Sequence, residues 1–475
     1  MRCLAGVVAL LCLVSVAEAA PQRPTLERKL IHLDPAAVGN IVNSRTIFLN
    51  RCTGGCKVTS ADSSDSRLNK SSIGGGTLAA FSEGDSVWNQ VVSCVKQTFS
   101  RFNVDVVDKD PGPYVNHFEI MIGGDPNQLG LPSGVGGIAE YSCTGIGSCS
   151  LFVPNALVFV FDVWGGDVNE ICATAAQELA HTFSGMDHVV DPSDPMTYAL
   201  FSGMRNFKDN VQCGSDCDYS CSGGTGSCNA FGITCTGSGA TGTHICMSSG
   251  TSTQNDIQII TSIFGPATAA APTLTLTNPT NLSGQPRGFT IEANCTASDP
   301  IAEVVFEIDG ARQTSVTAAP YKYTTPATLA DGFHHVSVIC GTSQKVVSVA
   351  NADVIVGAPC VKSVCAAGYV CYDDVCIAGP DSAGGVGATC TTSSECQYNG
   401  TCASDGETMA CTIPCDLDNP NCPEGFGCLD AGSMGVCWEG IDDGGCCETG
   451  GGKGSVLLAL GLGTVLITRK RRRAK

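Results

Sequence analysis

Positively charged residues are scarce in this sequence. Lysine and arginine number 26 against 45 aspartates and glutamates in 475 residues. Seven of the 26 lie at the two ends of the chain: Arg2, Arg469, Lys470, Arg471, Arg472, Arg473 and Lys475. Without these seven, and without Glu18, 19 positive and 44 negative residues remain, a net charge of −25. Such a surface disfavours nucleic acid as a partner and keeps an exported protein soluble.

Neither end of the chain has an apolar run long enough for an ordinary membrane-spanning helix. The N-terminal run from Leu4 to Val16 follows Arg2 and precedes Ala17-Glu18-Ala19, a small-x-small cleavage pattern. This order predicts a signal peptide over residues 1–19 rather than an uncleaved helix, which the run is too short to form across a bilayer. The C-terminal run, Ser455–Thr468, would make ~21 Å of helix against a hydrocarbon core of ~30 Å.

Cysteine, in contrast, is abundant, with 30 residues. Cys3 and Cys12 lie in the predicted signal peptide, and Cys446 and Cys447 lie in the tail. The other 26 fall into blocks of twelve, two and twelve, each an even number. Even blocks with irregular spacing favour disulfides formed in an oxidising compartment over cytosolic zinc–thiolate sites. We therefore expect an exported protein at the cell surface or outer membrane, or released outside the cell.

Composition shifts divide the chain into several domains, as its length requires. Residues 20–44 are polar without periodicity and are predicted to be a pro-segment or linker. A mixed α/β block covers 45–265, and an Ala-Pro-rich linker covers 266–272. An all-β module (273–357), a cysteine-rich region (358–440) and a short apolar tail (441–475) complete the chain.

The segment 273–357 alternates apolar and polar residues, as in Val304, Phe306 and Ile308 before the turn Asp309-Gly310. Cys295 and Cys340 lie in its predicted second and penultimate strands, which suits an inter-sheet disulfide. The segment resembles bacterial immunoglobulin-like modules, which are spacers or adhesive units. The strand-C tryptophan of antibody domains is missing, and Phe306 is expected in its place. The pair His334-His335 is interpreted as strand surface.

The cysteine-rich region has too few large apolar residues for a core. Two segments in it look like copies, Cys365 to Cys371 and Cys422 to Cys428, each with an aromatic residue after glycine. We interpret the region as small disulfide-held units that serve as a stalk or a binding surface. The sequence does not determine how the cysteines pair.

One constellation of residues could carry chemistry. Ala156–Trp164 predicts a buried strand, and Asp167 with Glu170 predicts a capping box at the start of a helix that continues to about Phe183. That helix contains Gln177-Glu178-Leu179-Ala180-His181, followed by Gly185-Met186-Asp187-His188 and by Asp194-Pro195-Met196-Thr197-Tyr198. Positions i and i+4 share one helix face, so residues 177 and 181 can reach one metal ion.

These segments resemble the metzincin zinc proteases. The resemblance implies a Zn²⁺ ion bound by residues 177, 181 and a third ligand after the glycine, with Glu178 as general base. It also implies a methionine turn at Met196 beneath the metal, and Tyr198 as transition-state stabiliser or resting-state ligand. The substrates would be proteins or peptides.

The chain departs from that pattern at two positions. Gln177 stands where the family has its first histidine, and a neutral amide is a poor zinc ligand beside imidazole. Ser184 is an extra residue before the glycine, so His188 lies seven positions after His181 and Asp187 takes the strict spacing. His188 is the preferred third ligand, because Gly185–His188 aligns with the family's Gly-Leu-Asp-His. Asp187 remains the alternative.

The likeness to a family of myxobacterial metzincin-like surface proteins extends to further segments. They are Arg45–Asn50, Phe118–Gly124, Gly134–Ala139, and Gln254-Asn255 before Ile257 and Phe264. The tail resembles C-terminal sorting signals of myxobacterial surface proteins, which implies cleavage near Cys446 or Cys447 and attachment through a modified cysteine. A plain tail anchor with its basic residues inside is the alternative.

The expected fold is therefore multidomain: an α/β metzincin-like zincin domain, an immunoglobulin-like sandwich, a disulfide-rich region and a short apolar tail. The expected function is zinc-dependent hydrolysis of peptide bonds at or outside the cell surface. The alternatives are a non-catalytic descendant that binds surface ligands, and a purely structural surface protein.

Overall fold

The computed structural model describes residues 24–33, 41–217, 231–404, 408–417, 420–431 and 435–440, and the backbone of 459–460 and 463–464. The predicted signal peptide (1–19), Cys446 and Cys447 lie outside these residues. The architecture is multidomain and mostly β. In the described part, none of the helices is both long enough and apolar enough to span a membrane.

Three α-helices occur in the described residues: α1 (Gly84–Thr98), α2 (Val168–His181) and α3 (Asp256–Phe264). Short 3-10 helices cover Ser66–Leu68, Pro126–Leu129, Gly239–Thr241 and Ser393–Glu395. The strands of the first domain are β1 (Thr25–Ile31), β2 (Thr46–Asn50), β3 (Cys56–Ser60), β4 (Lys70–Ser71), β5 (Gly76–Leu78), β6 (Asp105–Val107), β7 (Phe118–Ile122), β8 (Val135–Gly145), β9 (Ser148–Cys149), β10 (Leu157–Val160), β11 (Val211–Gln212) and β12 (Thr253–Gln254).

The main sheet of this domain has the strand order β1-β8-β10-β7-β2-β6, with β9 paired to β8. All neighbours on the path are parallel except β10 and β8, which are antiparallel. Both faces of the sheet are buried. Ile120 and Ile122 face the core with α1 and α2, whereas Met121 faces the small sheet β4-β3-β5. Such two-sided burial explains why the central strands are continuous apolar runs rather than alternating ones.

The segment predicted to be a pro-segment or linker contains β1, which extends the main sheet at the outer edge of β8. This strand was not predicted from its sequence, Thr-Leu-Glu-Arg-Lys-Leu-Ile, because its polar residues form polar contacts inside the domain. Lys29, for example, donates from Nζ to the carbonyl of Ser72. The capping box expected at α2 also differs. Asp167 caps the helix by accepting from the N–H groups of Asn169 and Glu170, but the Glu170 carboxylate pairs with Arg205.

The second domain has the strands β13 (Thr273–Asn278), β14 (Ser283–Pro286), β15 (Thr290–Thr296), β16 (Ile301–Ile308), β17 (Ala311–Val316), β18 (Tyr321–Thr324), β19 (Gly332–Thr342) and β20 (Val347–Pro359). They form two sheets, one ordered β13-β15-β18 and one containing β17-β16-β19-β20. The Cys295–Cys340 disulfide joins β15 of one sheet to β19 of the other. Phe306 is fully buried in the core between them, the position expected from the sequence.

His334 and His335 are not strand surface. Both are largely buried, and each ring has an acidic partner. Nδ1 of His334 lies 2.7 Å from Oδ2 of Asp309, and Nδ1 of His335 lies 2.7 Å from Oδ1 of Asp353. The ring of Tyr114 from the first domain stacks on that of His335, so this face meets the neighbouring domain.

The cysteine-rich region has the strands β21 (Tyr369–Tyr372), β22 (Val375–Ala378), β23 (Thr401–Ser404), β24 (Met409–Thr412), β25 (Pro414–Cys415), β26 (Phe426–Asp430) and β27 (Gly435–Glu439). The tail has β28 (Ala459–Leu460) and β29 (Gly463–Thr464). Six disulfides form three units, each linking its first cysteine to its third and its second to its fourth. The pairs are Cys360–Cys371 and Cys365–Cys376, Cys390–Cys402 and Cys396–Cys411, and Cys415–Cys428 and Cys422–Cys437. The two segments that look like copies, Cys365 to Cys371 and Cys422 to Cys428, lie at the same position in the first and third units.

Candidate metal site

The last two turns of α2 bring three of the predicted site residues together. Gln177, Glu178 and His181 are all buried to within 1% of full burial. The helix is held in place by the Cys94–Cys172 disulfide to α1 and by apolar contacts of Leu179 with the sheet core. A buried helix that presents an amide, a carboxylate and an imidazole needs a partner for these groups, because unpaired burial is costly.

His181 is fixed through one ring nitrogen. Its Nδ1 lies 2.7 Å from the carbonyl oxygen of Met186, so Nδ1 carries the proton and donates it. Its Nε2 is buried and has no hydrogen-bond partner among the described residues. Burial, then the neighbouring His188 and the charge of Arg28, hold the pKa of His181 well below its usual range. The ring is therefore neutral, with the lone pair of Nε2 available.

His188 has the same arrangement. The chain turns back after α2 through Ser184 and Gly185, both with positive φ (48° and 60°), which accommodates the extra residue Ser184. Nδ1 of His188 donates to Oδ2 of Asp216 at 2.9 Å, and Nε2 is buried without a hydrogen-bond partner in the described part of the chain. The rings of His181 and His188 lie 4.7 Å apart, centroid to centroid, at an angle of 83°.

Asp187, the alternative third ligand, points elsewhere. One of its oxygens forms an ion pair with Arg28 at 2.6 Å, and the other accepts from the N–H of Met247 at 2.7 Å. Its carboxylate is thus committed to structural partners, whereas the imidazole of His188 keeps a nitrogen without one. The geometry favours His188 over Asp187 at the third position.

Gln177 and Glu178 complete the helix side of the site. The amide nitrogen of Gln177 and both carboxylate oxygens of Glu178 are buried and lack hydrogen-bond partners among the residues that the structure describes. Burial, and to a smaller extent the charge of Glu27, raises the pKa of Glu178 well above its usual range, although Arg28 opposes this. Gly137 of β8 passes so close that a Cβ there would lie 2.6 Å from Oε1 of Glu178.

Tyr198 and Met196 lie on the segment after the turn. Met196 is fully buried, and its backbone carbonyl accepts a hydrogen bond from the N–H of Val189. Met196 therefore lies next to the backbone that carries His188. The ring of Tyr198 lies 4.7 Å from that of His188, and its hydroxyl accepts from the N–H of Leu26 at 3.1 Å. Burial, then the charges of Asp216 and Glu178, raises the pKa of Tyr198 well above its usual range.

Three residues at the site have no counterpart in the sequence-based prediction: Arg28, Asp216 and His244. Asp216 bridges two histidines, because its Oδ1 lies 2.7 Å from Nε2 of His244 while Oδ2 accepts from His188. Burial opposes ionisation of Asp216, but His188, His244 and Arg28 together hold its pKa well below the usual range. Burial likewise opposes protonation of His244, yet Asp216 and Asp187 raise its pKa to about 9.

The donor set fits a zinc ion. Two neutral imidazoles each offer Nε2 while Nδ1 is held by a carbonyl or a carboxylate, as is usual for metal-bound histidine. A second cluster near the site, formed by Asp187, Asp216 and His244, is already occupied by a cation, because Arg28 forms ion pairs with both aspartates. The cysteine clusters of the cysteine-rich region are disulfides and do not offer thiolates.

Comparison with known proteins identifies one part of the chain. Residues 272–338 match the family described as "Bacterial Ig domain". No curated protein matches the chain. The immunoglobulin-like prediction is therefore confirmed for the second domain, and together with the disulfides it indicates an exported protein.

Solved structures give only distant likenesses. The chain is 28% identical to fibronectin(III)-like modules of CbhA from Clostridium thermocellum, over 18% of this chain and 46% of that one, with a TM-score of 0.17. It is 14% identical to SGBP-B from Bacteroides ovatus, whose structure is in complex with a mixed-linkage heptasaccharide. That match covers 40% of this chain and 43% of the SGBP-B chain, with a TM-score of 0.16. It is 10% identical to OgpA from Akkermansia muciniphila, over 72% of this chain and 96% of the OgpA chain, with a TM-score of 0.17. The chain spans less than half of the CbhA and SGBP-B chains, and scores this low support no inference about function.

Proposed function

We propose that residues 45–265 form a metzincin-like zinc peptidase domain that hydrolyses peptide bonds at or outside the cell surface. One observation carries the proposal. The buried Nε2 atoms of His181 and His188 lack hydrogen-bond partners in the described residues, on rings only 4.7 Å apart. Both orphaned atoms belong to neutral rings whose other nitrogen is held, which is the state that a metal requires.

Each neighbouring group has a role in this proposal. His181 and His188 would hold the ion, with the amide of Gln177 as a weaker third donor. A zinc ion held there would polarise the peptide carbonyl and lower the pKa of a water molecule. Glu178 would accept the proton of that water, since both of its carboxylate oxygens are buried at the site without hydrogen-bond partners among the described residues. The Tyr198 hydroxyl would donate to the developing oxyanion.

The disulfides, the segment 1–19 and the tail 441–475 support a proposal for where the protein is located. We propose export by the signal peptide and retention at the surface through the tail, by a modified Cys446 or Cys447 or by a plain anchor. The sandwich and the three disulfide units would hold the catalytic domain away from the membrane. Proteins or peptides outside the cell would be its substrates.

A second candidate is a non-catalytic surface binding module built on the same domain. Gln177 favours it, because replacing one imidazole by a neutral amide weakens any zinc site. The position of β1 along β8 also favours it, because that edge is then not free for a peptide.

Zinc titration and a cleavage assay of the full exported chain together separate the two candidates. With a competing chelator, His181→Ala and His188→Ala should each lower the zinc affinity by at least about 100-fold. His32→Ala, which removes an exposed histidine, should leave the affinity unchanged. A titration that neither site variant alters would refute the metal site. Glu178→Gln should retain zinc but lose cleavage of a denatured protein by about 10²- to 10⁴-fold. Zinc binding without any cleavage in the wild type would favour the binding module.

A further inference from the structure

One buried arginine contacts the segment of chain that carries Tyr198. Arg205 is only 2% exposed. A guanidinium stays charged at any ordinary pH and offers five N–H donors, so its burial requires acceptors around it. The acceptors of Arg205 therefore show which parts of the fold this side chain holds together.

The guanidinium of Arg205 joins two points of one loop. Its Nε donates to the carbonyl of Pro192 at 3.2 Å, and its Nη2 donates to the carbonyl of Ala199 at 3.3 Å. These two carbonyls lie seven residues apart, and the second belongs to the residue directly after Tyr198. One side chain thus closes the segment 192–199, which we call the tyrosine loop, into a ring.

The same guanidinium joins the tyrosine loop to α2. Its Nη1 and Nη2 donate to Oε2 and Oε1 of Glu170 at 3.1 and 3.0 Å, a bidentate pair. Glu170 lies in the first turn of α2, and the end of that helix carries Glu178 and His181. A bidentate pair restrains orientation as well as distance, because it consists of two parallel hydrogen bonds. The tyrosine loop is therefore fixed to the helix that carries the proposed general base.

Tyr198 is held on both sides by contacts of this kind. Its N–H donates to Oγ of Ser215 at 3.0 Å, and Arg205 holds the carbonyl of the next residue, Ala199. The ring of Tyr198 lies 4.7 Å from that of His188. A misplacement of about 1 Å at a reacting group can lower a rate by about 100-fold, so the anchoring of Tyr198 matters for the proposed chemistry.

The two histidines proposed as metal ligands depend on other supports. Nδ1 of His181 donates to the carbonyl of Met186, and Nδ1 of His188 donates to Asp216. Arg205 takes part in neither contact. Its loss should therefore displace the tyrosine loop and leave the support of both imidazoles unchanged.

We propose that Arg205 is a positioning residue for hydrolysis, which holds the tyrosine loop against the first turn of α2 and thereby places the Tyr198 hydroxyl beside His188, where it donates to the oxyanion. This inference rests on the proposed function. In this role Arg205 acts only through Tyr198. Lysine does not replace it, because an ammonium group is a point charge and lacks the rigid fork that reaches a carboxylate and two carbonyls together.

Kinetics of single and double variants of the full exported chain test this role, with casein as the substrate. Arg205→Lys should lower kcat by about 100-fold with little change in KM, because the lost interaction acts in the transition state. Tyr198→Phe, which removes the hydroxyl, should lower kcat by about 10²- to 10³-fold. The double variant should be no slower than Tyr198→Phe, since the effect of Arg205 passes through that hydroxyl.

Arg67→Lys is the matched control for this substitution. Arg67 forms a bidentate pair with Asp65 in the same domain, and its remaining hydrogen bond goes to Asn116 rather than to the tyrosine loop. Arg67→Lys should therefore keep the kcat and KM of the wild type.

Amide hydrogen exchange of the zinc-free chain gives a readout that does not depend on activity. In Arg205→Lys, the amides of the tyrosine loop should exchange at least about tenfold faster than in the wild type, because the loop loses two of its hydrogen bonds. The amides at the end of α2 should keep their rates. Glu170→Gln, which keeps one oxygen acceptor but loses the bidentate pair, should change the exchange in the same direction and by less. It serves if Arg205→Lys does not fold.

The outcomes distinguish the positioning role from the function on which it rests. An additive loss in the double variant, or exchange that is equally faster throughout the domain, would overturn the positioning role and leave a general effect on stability. A wild type that cleaves nothing would refute the proposed function, and faster exchange confined to the tyrosine loop would then still support its anchoring by Arg205. A loss of kcat that Tyr198→Phe absorbs, and that Arg67→Lys does not show, would support the role of Arg205 in hydrolysis.

Discussion

His188 donates from Nδ1 to the carboxylate of Asp216 at 2.9 Å, and both residues are almost fully buried. This hydrogen bond determines which nitrogen of His188 carries a proton, and so leaves Nε2 free for a metal. The same carboxylate also accepts from His244 and lies near Arg28. One acidic residue thus connects the candidate metal site to a second histidine and to the N-terminal strand.

Substitution of Asp216 should therefore weaken metal binding without removing a ligand. Asp216→Asn keeps a hydrogen-bond acceptor for His188 but loses the charge, and we expect about a 10- to 100-fold lower zinc affinity. Asp191→Asn is a suitable control, since Asp191 contacts Ser193 rather than a histidine. An unchanged affinity in a folded Asp216→Asn variant would mean that His188 is not a metal ligand.

Local sequence patterns predict the helix side of this site, together with His188 and Tyr198, but miss the residues that surround them. Gln177, Glu178 and His181 occupy one helix, where spacing alone determines which side chains share a face. Arg28, Asp216 and His244 come from three distant segments, and only the tertiary fold brings them together. β1 escaped prediction for a related reason, since its polar residues form ion pairs and hydrogen bonds inside the domain. The second domain was more predictable, because alternating strands and a turn such as Asp309-Gly310 have local signatures.

The close passage of β8 over α2 leads to a prediction at Gly137. A Cβ at this position would lie 2.6 Å from Oε1 of Glu178 and 2.7 Å from Cγ2 of Thr174. Gly137→Ala must displace either the strand or the glutamate, so we expect a loss of about 1–3 kcal/mol in stability and about 100-fold in peptide hydrolysis.

Gly145→Ala is the control for this change, because Gly145 belongs to the same strand and its added Cβ would meet nothing within 4 Å. Thermal unfolding and hydrolysis rates of the two variants give the comparison. If both variants behave like the wild type, Glu178 has more room than the structure indicates, and the tight fit at Gly137 does not position it.

The contact between the first two domains should depend on pH through Glu307. This residue is buried and accepts from Asn116 at 2.6 Å, and Asn43 also donates to it. Burial raises the pKa of Glu307 from 4.5 to about 7, against the opposing effects of Asn116, Arg67 and Arg312. Because the folded-state pKa is raised, the contribution to stability is fully present below about pH 4.5 and is lost as the pH rises through 7.

Glu307→Gln should remove this dependence. The wild type should lose on the order of 3 kcal/mol of stability between about pH 4.5 and 8 from this group, whereas the glutamine variant keeps the neutral form throughout. Thermal unfolding midpoints at pH 5 and pH 8 measure the effect. Glu292→Gln, which alters a glutamate on the surface of the same sandwich paired with Lys322, should retain the pH dependence of the wild type. An equal pH dependence in all three proteins would contradict the assignment to Glu307.

An imidazole at position 177 tests the feature that distinguishes the two proposed functions, an enzyme or a binding module. That feature is Gln177, which stands where the metzincin pattern has its first histidine. Residue 177 lies one helical turn before His181 on the same face and is buried beside it, so Gln177→His places a third imidazole at the site. Imidazole is a stronger zinc donor than a neutral amide, and we expect at least a tenfold gain in zinc affinity over the wild type. Gln177→Ala shows what the native amide contributes, because it removes the donor without adding another. If Gln177→His and Gln177→Ala bind zinc equally, residue 177 does not reach the ion, and the two histidines with Glu178 must account for whatever chemistry the site performs.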